Sequence, residues 1–275
     1  MPMIKYNANY VSACIGKMYV GYVMQVFDEA INVLGDNPLW IIGPSKGPQP
    51  LGIKLNLLPN SRKGDPVLKD GNVVKLGKNY EIDLVDAKIW STSRLTIIDI
   101  NVETYNKVLF WARRYILRPE YVDALINGVF ALHNLDELVI KRLRRLVADV
   151  IKGAGFEQAK YMIGLGTGLT PSGDDALVGM LASLRGSYYF AKLAEIVKNN
   201  LVKTNWISQG YLNCATIGEF GYEAAAVIEA CMGANDLEYS IKTTSKIGHS
   251  SGSFFILGFI SGLEIRLSDH RNSNL

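Results

Sequence analysis

Between Gly164 and Asp175 the chain reads Gly-Leu-Gly-Thr-Gly-Leu-Thr-Pro-Ser-Gly-Asp-Asp, its densest run of residues able to do chemistry. Gly164, Gly166, Gly168 and Gly173 bare the backbone, Thr170 and Ser172 supply hydroxyls, and Asp174 and Asp175 supply adjacent carboxylates. Leu177, Met180, Leu181 and Leu184 follow at helical spacing, so the loop is expected to deliver a helix N-terminus. Pro171 suits the first turn of that helix, where its missing N–H costs nothing, and Thr170 or Ser172 suits the cap. Ser172 to Asp175 also has capping-box spacing. Free amides at such a start, aligned with the helix dipole, form a receptor for a phosphate or carboxylate.

Asp174 heads the apolar stripe that runs through Leu177 and Leu181, so its carboxylate aims inward. There it needs a hydrogen bond, an ion pair or a metal. Capping of free amides at the positive end of the dipole is the plainer role for both aspartates, and it suits Asp175 better. As chemistry, Asp174 is the candidate catalytic carboxylate and Asp175 a ligand contact. Both are candidate metal ligands. Two carboxylates beside a phosphate would repel it, which makes a bridging Mg²⁺ the cofactor they would suit, although the sequence leaves the presence of any metal open.

A second loop echoes the first. Gly248-His249-Ser250-Ser251-Gly252 precedes another apolar helix, and one constant offset brings Ser172, Gly173 and Gly179 opposite Ser251, Gly252 and Gly258. Glycine inside a helix costs about 1 kcal/mol relative to alanine. Gly179 and Gly258 are therefore expected to let the two helices touch, and a crossing there brings both N-termini toward one ligand. His249 is the second catalytic candidate, because a helix start favours a neutral imidazole that can accept a proton. Ser250 and Ser251 would close the site. His133 reads as a helix-end contact and His270 as part of a polar tail. No GxSxG elbow supports a Ser-His-Asp hydrolase.

The elements that must position these groups change character near residue 100. Before it, Met18 to Phe27, Leu39 to Ile42, Leu51 to Leu57 and Tyr80 to Leu84 read as strands, separated by turns rich in Gly, Pro, Asn and Asp. Most prolines lie at or before Pro66. After it the period is 3.6: Val102 to Ile116 ended by Pro119, a helix to about Leu132, Asp136 to Lys152, the Ser172 helix, and stretches near Ile207–Phe220, Tyr222–Cys231, Leu237–Lys246 and Ser251–Leu267. The expected class is α+β, with a β-rich sandwich or barrel-like domain over 1–100 and an all-helical domain over 101–275 that carries the glycine-rich loop.

Composition sets the partners. The net charge of +3 is too small and scattered for nucleic acid, and 48% apolar with 20% charged residues describes a globular chain. Lys141-Arg142-Leu143-Arg144-Arg145 reads as the solvated face of an amphipathic helix. Three separated cysteines, Cys14, Cys214 and Cys231, form neither a disulfide framework nor a zinc site and fit a reducing compartment. The N-terminus has no apolar core of a secretory signal, and Phe254–Ile260 is too short to span a bilayer. A cytoplasmic chain without membrane or nucleic-acid partners is expected.

The glycine-rich motif resembles that of the AllH-like family. So do the Thr204, Ile207-Ser208, Leu212, Ala215 and Gly218 stretch, the Gly248–Gly252 loop and Leu84-Val85-Asp86-Ala87-Lys88-Ile89-Trp90. One branch of that family is a subunit of oxamate carbamoyltransferase, which works with two other subunits in allantoin breakdown, a branch of purine catabolism. That enzyme interconverts oxalurate plus phosphate with oxamate plus carbamoyl phosphate. The Ser-Thr-Arg-Thr phosphate motif of classical carbamoyltransferases is absent, so nothing carries over from them. The resemblance implies a transferase subunit binding a small anionic metabolite, with other carbamoyltransferase subunits as partners. Gly164, Gly166, Gly168 and Gly173 would cradle the anion, Thr170, Ser172 and Ser208 would add hydroxyls, and Asp174 would orient a carbamoyl NH2. Two alternatives stand beside it: a non-catalytic ligand-binding or assembly subunit, and a metal-dependent hydrolase or lyase of an amide-containing acid.

Overall fold

A computed structural model describes residues 3–97, 100–130 and 134–272, without the side chains of 270–272. His133, the side chain of His270 and the expected helix end at Leu132 lie outside the described residues. The chain divides into two compact units: Met1–Thr92 with Glu219–Tyr222, and Ser93–Gly218 with Glu223–Leu275. The class is α+β, an N-terminal barrel followed by helices.

The first unit contains β1 (Ile4–Ser12), β2 (Met18–Phe27), β3 (Ala30–Gly35), β4 (Leu39–Ile42), β5 (Gly52–Leu55), β6 (Pro66–Asp70), β7 (Val73–Leu76), β8 (Tyr80–Asp83) and β9 (Lys88–Trp90). Their order is β5-β4-β3-β2-β6-β7-β8-β1, and β5 pairs back onto β1, so eight strands close on themselves. Closure follows from alternation. Val23, Ile31, Val33, Ile41, Ile53, Leu55, Val67, Val74, Leu76 and Ile82 are fully buried and form one core; Pro66, Leu68, Asp70 and Lys75 beside them in β6 and β7 are exposed, whereas all of β4 is buried. β9 is an extra strand, parallel to the end of β1 through Tyr10↔Lys88 and Ser12↔Trp90.

The Glu219–Tyr222 segment belongs to this unit although helix surrounds it in sequence. Buried Glu219 accepts hydrogen bonds from the Ser91 hydroxyl and the Thr92 amide at 2.6 and 2.7 Å. Phe220 donates its amide to Thr92 Oγ1 at 2.7 Å and accepts from Trp90 Nε1 at 3.0 Å. The expected helix near Ile207–Phe220 therefore stops early, at Thr216, and left-handed Gly218 turns the chain away from it.

The second unit is helical: α1 (Val102–Tyr115), α2 (Glu120–Asn127), α3 (Leu135–Ile151), a 3-10 turn (Glu157–Tyr161), α4 (Ser172–Leu184), α5 (Tyr188–Lys198), a second 3-10 turn (Leu201–Lys203), α6 (Trp206–Thr216), α7 (Tyr222–Cys231), α8 (Leu237–Thr244) and α9 (Ser251–Asn272). Asn101, Asn134 and Asn205 cap α1, α3 and α6 by accepting the amide three residues on. α2 ends at Asn127 because Gly128 takes the left-handed conformation at its C-cap. α5 carries only a narrow apolar face, Leu193, Ala194 and Val197, and escaped the periodicity reading. α9 is the central element. Phe254 through Ile260 are buried without interruption, and each large side chain there contributes about 1.5–3 kcal/mol. Among the described residues no helix is long and apolar enough to cross a membrane.

Candidate functional site

The glycine-rich loop leaves the first 3-10 turn through buried Met162 and Ile163 and folds back onto α4. Gly164, Gly166 and Gly168 all have left-handed φ angles, 76°, 124° and 92°. Space is short as well at two of them: a Cβ on Gly164 would lie 2.3 Å from Lys203 O, and one on Gly166 would lie 2.6 Å from Ser172 N. Side chains there would push the loop off the helix start.

That fold uses up part of the expected receptor. Gly164 donates its amide to Asp174 Oδ1 at 2.7 Å, Leu165 to Met162 O, and Gly173 to Leu165 O. Asp174 and Asp175 both donate to Pro171 O. Among the described residues, no acceptor takes the amides of Gly166, Thr167, Gly168, Leu169, Thr170 or Ser172. The amides left without an acceptor thus sit on the loop and at Ser172, ahead of the helical turn rather than within it. The capping expectation is corrected too. Pro171 occupies the N-cap, outside the first turn, and no side chain caps α4. The Ser172 hydroxyl instead donates to Asp136 Oδ1 at 3.2 Å.

Asp174 is 1% exposed, as its place on the apolar stripe requires. Its carboxylate accepts from Gly164 N, from the Ser208 hydroxyl at 2.6 Å and from the Thr204 hydroxyl at 2.5 Å. Burial raises its pKa, and the bonds from Ser208, Thr204 and Gly164 oppose the rise. Ser208, expected as a ligand contact, spends its hydroxyl here. Asp174 ties the loop, the second 3-10 turn and α6 together, a positioning task. Replacing it with alanine strands three donors and is expected to cost about 3 kcal/mol or more. In thermal denaturation that is a fall in Tm of roughly 6–12 °C. An unchanged Tm would deny the positioning role.

The helix crossing expected from the glycines is present. A Cβ on Gly179 would lie 1.9 Å from Phe255 O, and one on Gly258 would lie 1.8 Å from Ala176 O. These two contacts are the same contact with the helices exchanged, because Ala176 and Phe255 stand at the same offset as Gly179 and Gly258. Farther along, Gly262 meets the Ser183 hydroxyl, and Arg266 donates to Ser183 O and Arg185 O. Contacts advance together along both helices, so α4 and α9 run parallel with their N-termini side by side. Thr170 Oγ1 and Ser251 Oγ join those termini at 2.8 Å. Two parallel dipoles then present positive ends at one place.

Asp175 sits at that junction. The Ser251 and Thr170 hydroxyls lie beside its carboxyl group, while its Oδ2 is buried without a hydrogen-bond partner. Burial pushes the group well above the usual carboxylate range, and neighbouring Asp174 adds to the rise against the two hydroxyls. The phenol of Tyr211 is pushed up by its own burial and by the nearby Glu223 and Asp175 carboxyls. The sequence singles out Thr204 only within the family-like stretch and gives it no role at the site, and it singles out neither Tyr211 nor Glu223. The helical spacing of Ser208 and Tyr211 was the available signal: the first serves Asp174, and the second lies near Asp175.

The structure brings together Thr170, Asp175 and Ser251, and separately Gly164, Asp174 and Ser208. His249 is exposed in the turn before α9, and Ser250 accepts the Phe254 amide through its carbonyl. The two aspartates differ in what they leave for a cation. Asp174 has both oxygens engaged by three donors, and Asp175 offers one oxygen. Among the described residues no three His, Cys, Asp or Glu side chains gather as a metal-binding group.

With this geometry in place, comparison with known families adds one finding. Residues 162–263 match the model of the family described as oxamate carbamoyltransferase subunit AllH. The matched stretch begins just before the glycine-rich loop and ends within α9, so it contains both loops and the crossing glycines. No solved structure matches the chain.

Proposed function

We propose that this chain is a carbamoyltransferase-type subunit that binds a small anionic metabolite where α4 and α9 begin. The observation that carries the reading is the buried, unpartnered Oδ2 of Asp175 between two parallel helix N-termini. A polar atom left in that condition costs about 1–3 kcal/mol, which folding alone does not repay. A ligand does. The similarity of residues 162–263 to an oxamate carbamoyltransferase subunit supports the transferase class and the expectation of partner subunits.

In this reading the anion lies against the amides of Gly166 to Thr170 and Ser172, with both dipoles pointing at it. Repulsion from the aspartates is absent for two different reasons. Asp174 has its charge met by three donors of its own chain, and burial raises the pKa of Asp175, which favours its protonated form. No bridging cation is needed. When protonated, Asp175 donates a hydrogen bond from Oδ2 to a ligand oxygen, and Thr170 and Ser251 hold the carboxyl in place.

Purified protein mixed with carbamoyl phosphate and oxamate tests the class. Formation of oxalurate and phosphate by the lone chain establishes a catalytic subunit. Saturable binding without turnover establishes a ligand-binding subunit that needs partner chains. Release of oxamate from oxalurate without phosphate would favour the hydrolase. Neither binding nor turnover would overturn the reading.

A further inference from the structure

A second charged feature lies near the glycine-rich loop and has no part in the site above. Three cations from three separate elements surround the half-exposed ring of Tyr161. Arg142 Cζ from α3 is 5.6 Å from its centroid, Lys160 Nζ from the first 3-10 turn 5.3 Å, and Lys203 Nζ from the second 3-10 turn 6.0 Å. A ring offers a cation about 0.5–1 kcal/mol at an exposed site, too little to offset three mutually repelling charges. Glu157 pairs with Lys160 at 2.8 Å. Among the described residues Arg142 and Lys203 have no ion-pair partner, and Arg142 Nε is buried without a hydrogen bond. Two positive charges and one buried donor remain unmatched.

The cluster is braced. The Lys203 carbonyl packs against Gly164, and the next residue, Thr204, donates its hydroxyl to Asp174, which also holds the Gly164 amide. Lys203 Nζ donates to Lys160 O at 3.2 Å, which fixes the two lysines relative to each other. The basic run at Lys141–Arg145 is therefore not simply a solvated face. Arg144 donates to Ala124 O and Leu125 O at the end of α2, while Arg142 turns to Tyr161.

We propose that Arg142, Lys160 and Lys203 around Tyr161 form an oxyanion site for a dianion of the phosphate class, either inorganic phosphate or a phosphate monoester. Two unmatched charges call for a dianion rather than a single carboxylate. A guanidinium with an unused Nε also suits the paired oxygens of a phosphate. The site stands independently of the one at α4 and α9.

The test is an NMR titration of the intact chain, reading the Tyr161 ring resonances. Inorganic phosphate and glycerol phosphate serve as probes, with sodium chloride at matched ionic strength as the reference. Saturable shifts with either phosphate and none with chloride are expected; a response to inorganic phosphate alone identifies the free ion, and a response to both includes esters. Lys203→Gln keeps the backbone carbonyl against Gly164, so the fold is expected to persist while phosphate affinity falls roughly tenfold. Arg142→Gln is expected to give a similar loss. Asp175→Ala, which disables the other site, is expected to leave the Tyr161 titration unchanged. Shifts equal to those in chloride, or an unchanged affinity in both cation variants, would overturn the proposal.

Discussion

Asp175→Ala is expected to weaken carbamoyl phosphate binding about 10- to 100-fold, the effect of losing a hydrogen bond worth about 1.5–3 kcal/mol to a charged ligand. Asp175→Asn keeps a donor and is expected to bind far better than the alanine variant. Its affinity should also lose a pH dependence that the parent has. In the parent, the anion is held by the neutral acid, so affinity falls as pH rises through the raised pKa of Asp175. Calorimetric titration of the three proteins across the pH range checks this. Equal affinity in all three would remove Asp175 from the ligand.

The same group gives a stability signature of defined sign. Its folded-state pKa is raised, so the native chain holds a proton that the unfolded chain releases just above 3.8. Stability is fully present below that value and declines as pH rises toward the folded pKa. Asp175→Asn abolishes this decline and leaves the contributions of Asp174 and Glu264, whose shifts have the same direction. The variant is expected to gain about 1–3 kcal/mol over the parent at high pH, with the gain vanishing in acid. A substitution that stabilises the fold while altering ligand binding marks a residue retained for function.

Gly258→Ala is expected to act in the opposite direction from an ordinary helix substitution. In an open helix that change adds about 1 kcal/mol of stability. Here the new Cβ would lie 1.8 Å from the Ala176 carbonyl, a backbone atom that cannot swing aside. The helices must separate, at a cost of about 3 kcal/mol or more, a Tm loss of roughly 6–12 °C. Separation also parts Thr170 from Ser251 and opens the ligand junction. Binding of carbamoyl phosphate should therefore fall together with Tm. Full stability in this variant would show that the crossing is looser than described.

The frame of the site could be read from the chain because it rests on local rules. Glycine in a helix needs a reason, and Gly179 and Gly258 at one offset supplied it; the 3.6 period marked both helices, placing the start of α9 at Ser251 and that of α4 to within a residue or two of Ser172. The division of labour between Asp174 and Asp175 could not be read. Adjacent helical residues point about 100° apart, and their roles depend on Thr204 and Ser208, brought in from a distant segment. Nor does the sequence reveal that Pro171 O and Leu165 O take the amides of the first turn, since that depends on how the loop folds back. In the barrel, β2 and β4 stood out as apolar runs. β1, β6 and β9 are short or rich in polar residues, and only pairing with their neighbours makes them strands.

The most direct measurement is a crystal structure with carbamoyl phosphate soaked in. The expected result is an anion held by the amides of Gly166 to Thr170, with one ligand oxygen at hydrogen-bond distance from Asp175 Oδ2. An anion settled elsewhere, with Asp175 Oδ2 bonded to a group of its own chain, would contradict the account.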